Sequence, residues 1–466
     1  MWHAGRRGSL HLRCPDVAGD VTSAPPLRNW AGNLSYAASS LERPQTLEQL
    51  QEIVARSEQV HAVGARHSFS DAADTPGRLV SLDDLPRRVE IDRRAATVTV
   101  SAATRFAELA AALEQEGLAL ANLASLPHLS VAGACATATH GSGDANTTLS
   151  GLVAALELVG ADGELVTRRR DTPRRQLGPG GDPAGGEVTE GGRMTPGEEL
   201  DGSVVACGAL GVVSAVTLDV VPSFMIRQDV YDDLSFERAV VHLDELFAEA
   251  YSVSVFVDWR RPHVAQIWRK SLVEPGAAAP PDLLGALAAR QPRHPIAGCS
   301  ARPCTEQLGR PGPWNERLPH FRAEEAPSAA GAELQSEYLV GRDRAPEALE
   351  RLAAHHDRLA PLVQVSELRS VAPDELWLSP AYRRSSIAIH FTWVPDPASV
   401  LAVLPLVESE LAHCAARPHW GKLFVASSEQ LAERYERFAD FGRLLERYDP
   451  AGKFANAFSK RCLPAR

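Results

Sequence analysis

The sequence predicts an α+β fold in more than one domain, and three observations carry that prediction. In the first half, short strand-like runs (61–63, 79–82, 88–92 and 96–101) are interleaved with segments whose apolar residues recur at helical spacing. In the second half, longer strand-like runs alternate with helical ones. The phosphate loops of parallel α/β folds are missing. No GxxxxGK[ST] is present, and no GxGxxG follows a strand and opens a helix.

Residues 1–27 read as a disordered tail. Arg6-Arg7 has the look of an export signal, but the stretch after it carries Arg13, Asp16 and Asp20 and has no apolar core. Order is expected from Asn29-Trp30. Thr46 and Gln49 are spaced as a capping box for a helix bearing Leu47, Leu50, Ile53 and Val54. His61-Ala62-Val63 is a strand stopped by Gly64. A helix over about 104–116 ends at Gly117. Strands near 155–167 and 212–220 flank a segment, 171–202, whose run from Gly178 to Gly186 is too rich in glycine and proline to build a core. It reads as a flexible insertion within one domain.

Further on, strands are expected at 252–258, 264–269, 334–340, 363–369 and 386–393. Helices are expected at about 236–249, 345–359, 398–413 and 428–444, followed by a turn at Asp449-Pro450-Ala451-Gly452.

Composition narrows the function. A formal charge of −11 speaks against a nucleic-acid partner and against anionic membrane surfaces. No apolar run approaches the ~20 residues that cross a bilayer. The seven cysteines are scattered, odd in number and form no CxxC, which fits reduced thiols in the cytoplasm. Cys299 and Cys304 lie near His294 without the second half of a zinc site, so no metal is expected.

Two small-residue segments draw attention. One is Gly64-Ala65-Arg66-His67-Ser68-Phe69, directly after a strand. The other runs from Ser130 through Gly133, Thr137, Ala138, Thr139 and His140 to Gly143. Small side chains let backbone N–H groups approach an anionic ligand, and the hydroxyls of Ser68, Ser130, Thr137 and Thr139 add donors. Tight packing between elements explains either segment equally well when it is taken alone.

Taken together, these segments resemble the vanillyl-alcohol-oxidase-type (PCMH-type) FAD-linked oxidases, and within them the alditol oxidase and xylitol oxidase group. Asn29-Trp30-Ala31-Gly32-Asn33, Ala124-Ser125-Leu126-Pro127-His128, Pro311-Gly312-Pro313-Trp314, His419-Trp420-Gly421-Lys422 and Asp449-Pro450-Ala451-Gly452-Lys453-Phe454 extend the resemblance. It covers 29 to about 463, apart from the insertion. The resemblance implies a two-part FAD-binding domain (28–222 and 427–466) with an inserted α+β substrate-binding cap (223–426). It implies FAD attached covalently to His67 through an 8α-histidyl bond. Gly64, Ala65, Arg66, Ser68, Phe69, Ser125, Ser130, Gly133, Thr137, Ala138, Thr139 and His140 are expected around the cofactor. Arg66 stands where related enzymes often carry a small residue, so it is expected to point outward or toward the FAD phosphates.

Residue pattern alone marks two strands. Glu367 and Arg369 are two apart and share a face, as do His390 and Thr392, whereas Ile387, Ile389, Phe391 and Trp393 form an apolar face. An ordinary amphipathic sheet has the same pattern. The resemblance adds Ser125, Gln335 and Lys422 to Glu367, Arg369, His390 and Thr392 as substrate contacts. It implies catalytic roles for Lys422, Arg369 and Glu367: two cations that stabilise an alkoxide, and a carboxylate that orients Arg369.

The implied reaction is FAD-dependent oxidation of the terminal primary hydroxyl of a polyol such as xylitol or sorbitol to the aldose, with O2 reduced to H2O2. Two alternatives stand beside it: an aldonolactone oxidase or dehydrogenase on the same scaffold, and a flavin-binding protein without catalysis. The expected partners are a small polyol and O2. The oligomeric state stays open, with a monomer as one option.

Overall fold

The computed structural model describes residues 27–171, 194–276, 279–326 and 332–465. The expected tail (1–27) therefore lies almost wholly outside the described residues, and so does 172–193 of the expected insertion.

Among the described residues, three of the four β-sheets organise the fold; the fourth is the short pair Leu118–Ala119 and Val221–Pro222. The first is small and parallel, with Arg78–Ser81 between Ser40–Glu42 and Val60–Val63. The second is five-stranded and antiparallel, in the order Val89–Asp92, Thr97–Ser101, Val212–Asp219, Val153–Val159, Leu165–Arg169. A core of Val98, Val100, Leu156, Val216 and Leu218 joins it to Phe106–Gln115 and to Phe438–Tyr448 near the C-terminus.

The third sheet has ten strands, all between residues 225 and 418. Its centre runs Met225–Ser235, His263–Leu272, Ser252–Asp258, Val363–Val371, Ser386–Trp393, Leu334–Gly341, each antiparallel to its neighbour. Period-two alternation gives this sheet two unlike faces. Ile387, Ile389, Phe391, Trp393, Leu368 and Tyr338 bury one face against Ala345–Ala353 and Pro397–Ala412. The other face carries Glu337, His390 and Glu367 side by side, because register pairs Glu337 with His390 and His390 with Glu367.

Several elements differ from expectation. The helix expected at 236–249 breaks at His242 into Phe236–Val241 and Leu243–Ala248. That at 345–359 ends at Ala353 and resumes as His356–Leu359. That at 428–444 is two helices, Ser428–Ala432 and Phe438–Tyr448. The 171–202 segment is not loop throughout. Pro196–Val204 is a helix, held at its start by a Thr195/Glu198 capping box and Pro196. Strand Met225–Ser235 was not foreseen because its charges mask it. Arg227, on the same strand, pairs with Asp229, and Arg293, from a loop, pairs with Asp232. Among the described residues, no helix is long and apolar enough to cross a membrane.

Candidate active site

One continuous cavity runs from the loop after Val60–Val63, past the 130–140 segment, to the polar face of the ten-stranded sheet. The end beside Val60–Val63, where the cofactor is expected, is built from backbone. After Val63 the chain turns at Arg66, whose φ is 61°, and the backbone N–H groups of Ala65, Arg66, His67 and Ser68 meet no protein acceptor among the described residues. The side chain of Arg66 is exposed and donates to the Arg28 carbonyl, so of its two expected directions it takes the outward one.

Glycines bring the two segments into contact. A Cβ on Gly64 would strike Ser130 Oγ, and one on Gly133 would lie 2.8 Å from the same atom. The segment after Ser130 is a short helix, Val131–Ala136, and not an open loop. Ala138, expected beside the cofactor, is fully buried in the core with a left-handed backbone (φ 55°) and does not line the cavity. The other expected cofactor residues all line it.

His67 stacks on Trp30, with ring centroids 5.4 Å apart. Burial, reinforced by His128, Arg105 and Arg66, pulls its pKa down to about 4, so the imidazole is neutral near pH 7. Residues far along the chain frame this loop. Phe69 N–H donates to Gly421 O, Ser70 Oγ to Trp420 O, and Asn456 Nδ2 to Ala72 O and Asp74 O.

The opposite end is a wall of buried charge. Arg369 Nη2 lies 2.9 Å from Glu367 Oε2, and Arg369 Nη1 donates to His140 O. Lys422 Nζ is shared between Glu337 Oε2 and His390 Nδ1, the latter at 2.8 Å. His390 Nε2 meets Thr392 Oγ1 at 3.1 Å. Gln335 Nε2 donates to Glu333 Oε1 at 2.6 Å. Burial favours the neutral form of Glu337, but Lys422, His140 and His390 outweigh it and hold the carboxyl well below its usual range. Burial lowers Lys422, and Glu337 opposes that shift. Ser125 Oγ and Arg369 Nε are buried without a hydrogen-bond partner among the described residues.

The structure thus brings Ser125, Gln335, Glu367, Arg369, His390, Thr392 and Lys422 to one cavity. Sequence reasoning missed Glu337, Glu333, His320 and Lys270. Glu333 and Glu337 share the two-residue spacing of Gln335, which is the signal that was available. His140 was expected at the cofactor alone; its Nε2 also lies 3.3 Å from Glu337 Oε1.

Comparison with known proteins agrees with this architecture. Residues 38–168 match the FAD binding domain family model, and 332–462 match that of D-arabinono-1,4-lactone oxidase. Alditol oxidase of a Streptomyces species is 44% identical over 439 residues, covering 93% of this chain and 98% of that protein. The chain belongs to the PCMH-type FAD-linked oxidase family. Within this family, L-gulono-1,4-lactone dehydrogenase of Mycobacterium tuberculosis is 28% identical over 460 residues (94% and 99% covered), and bovine (Bos taurus) L-gulonolactone oxidase 24% over 464 (93% and 97%). The fold matches cholesterol oxidase from B. sterolicum with a TM-score of 0.70 at 14% identity, covering 94% of this chain and 96% of that one. As a family member the chain is an FAD-dependent oxidoreductase. The free N–H groups of 65–68 and the close approach of Gly64 and Gly133 to Ser130 suit a flavin nucleotide.

Proposed function

We propose that this flavoenzyme oxidises the terminal primary hydroxyl of a sugar alcohol to the aldose, with O2 reduced to H2O2, and that His67 carries the FAD covalently as an 8α-histidyl conjugate. We take 28–222 with 427–466 as the FAD-binding domain, 223–426 as the cap, and the cytoplasm as its location. The observation that carries this reading is the pair of buried, unpartnered donors, Ser125 Oγ and Arg369 Nε, in a cavity that also holds Lys422. Such groups are costly unless a ligand satisfies them.

FAD held by the Gly64–Phe69 and Ser130–His140 segments would supply the hydride acceptor for the carbinol carbon and the route of two electrons to O2. The protein's task is charge. Two of the three hydrogens of Lys422 go to Glu337 and His390, which leaves one for the substrate oxygen. With Arg369 it stabilises alkoxide character and eases loss of the hydroxyl proton. Glu367 orients Arg369 and accepts from a substrate hydroxyl. Gln335 gives its amide hydrogen to Glu333, so its oxygen is free to accept from another. Ser125, His390 and Thr392 hold what remains. Neutral His67 has a lone pair for bonding to the flavin.

A second reading, oxidation of an aldonolactone, is favoured by the match of 332–462. A panel of xylitol, sorbitol, glycerol and gulonolactone, with peroxide detection, separates the two. Polyol-dependent peroxide is expected, and gulonolactone alone as substrate would overturn the polyol reading. Acid precipitation should leave yellow colour in the wild-type pellet and none in that of His67→Ala.

A further inference from the structure

A buried lysine stands directly behind the reactive wall and has no part in the chemistry above. Lys270 is 1% exposed, on strand His263–Leu272. Its ammonium has three hydrogens and meets three acceptors: Leu318 O, Pro319 O at 3.1 Å and His320 Nδ1 at 3.1 Å. A charged lysine only donates, so His320 Nδ1 must accept, and its hydrogen sits on Nε2. That nitrogen lies 2.8 Å from Glu367 Oε1, and the other oxygen of Glu367 holds Arg369. His320 is fixed in place by the rings of Trp268 and Phe256.

We infer that Lys270 is a positioning residue: by selecting the His320 tautomer with hydrogen on Nε2, it aims Glu367, and through it Arg369, at the substrate. The catalytic part of this inference rests on the polyol reading; the tautomer does not.

The arrangement depends on charge. Burial pulls Lys270 down to about 7 against the attraction of Glu367, and Arg369 adds to the fall. The titratable and charged groups facing Lys270 are His320, Glu367, Arg369 and the Cys304 thiol, which burial raises to about 12 and so keeps protonated. Its cross-strand partners, Gln228 and Ser252, carry no charge. When Lys270 releases its proton to solvent, two hydrogens remain for the two carbonyls, and its lone pair faces His320 Nδ1. The imidazole proton then moves to Nδ1, and a bare Nε2 confronts the Glu367 carboxylate. The hydrogen bond that aimed Glu367 is gone.

The tautomer is read without substrate by 15N NMR of histidine-labelled holoenzyme, with His320→Gln identifying the signal. The expected result is Nε2–H at about pH 6, Nδ1–H at about pH 9, and no lysine-driven transition in Lys270→Met. A His320 signal that keeps one tautomer across that range overturns the inference, whatever the polyol panel shows.

Stopped-flow flavin reduction supplies the catalytic readout. The wild-type rate should decline as pH rises through about 7, approaching roughly tenfold per pH unit. Lys270→Met and His320→Gln should both lose that decline. Glutamine can donate to Glu367 but has no second tautomer, so His320→Gln should lose less rate than His320→Phe. A decline that persists in both Lys270→Met and His320→Gln refutes the positioning role. Failure of Lys270→Met to fold leaves the His320→Gln comparison intact.

Discussion

Lys422 and Glu337 form an ion pair whose side chains are 13% and 1% exposed. A pair this buried is held by mutual dependence: each charge exists because the other is there. Replacing Glu337 with glutamine removes the charge opposite Lys422, leaves it only neutral acceptors in the new amide oxygen and His390, and pushes the lysine further toward its neutral form. Glu337→Gln should therefore lower kcat by about a hundredfold, the scale of a lost alkoxide stabiliser, and cost about 3–5 kcal/mol of stability. Flavin content should hold. A variant with wild-type kcat would remove Glu337 from the reactive wall.

Ser125 offers the opposite balance. Its hydroxyl is buried with no partner among the described residues, so deleting it breaks no hydrogen bond of the fold. Ser125→Ala should leave Tm unchanged or slightly higher while raising KM for the polyol about tenfold, the cost of one lost neutral hydrogen bond. A fall in Tm with no change in KM would make Ser125 a structural residue.

Gly64 is constrained by contact and not by its backbone angle. An alanine there places Cβ against Ser130 Oγ and drives the two cofactor segments apart. Gly64→Ala should emerge with less flavin, read as a lower ratio of absorbance at 450 nm to that at 280 nm. Adding Ser130→Gly should restore part of it. Full flavin in the single variant would show that the loops have slack.

Acid should weaken the fold through its buried histidines, His320 and His390 among them. Burial holds His320 and His390 at about 4, with Lys270 and Lys422 respectively pushing the same way. The unfolded chain takes up those protons near pH 6.5. Between about 6.5 and 4 the folded state therefore binds fewer protons than the unfolded one. The stability these two rings contribute is complete above 6.5 and declines as pH falls toward 4. Tm should drop over that window, and His320→Gln should make the slope shallower. A flat wild-type Tm from pH 6.5 to 4.5 would contradict the burial of both rings.

Much of the reactive wall was legible because a strand repeats every two residues. Glu367 with Arg369, and His390 with Thr392, announce a polar face by spacing alone. Lys270 was not legible. It follows Arg269 in a run that reads like a solvated edge, and only the fold sends Arg269 to Glu249 and Asp229 on one face and buries Lys270 on the other. His320 sits between Pro319 and Phe321, outside any helix or strand, where periodicity says nothing. Strand Met225–Ser235 was hidden because its acids find basic partners, Arg227 beside Asp229 and the distant Arg293 opposite Asp232. The breaks at His242 and at 354–355 fall inside apolar patterns that continue on either side, so local sequence carried no stop signal there.

The bonds that frame the His67 loop come from Trp420, Gly421 and Asn456, some 350 to 390 residues later. A ribosome delivers the loop long before it delivers those supports. Flavin capture is thus expected to wait until residue 456 has been made, and nascent chains arrested before residue 420 should retain no yellow colour. Retention by such arrested chains would show that the loop assembles without its distant frame.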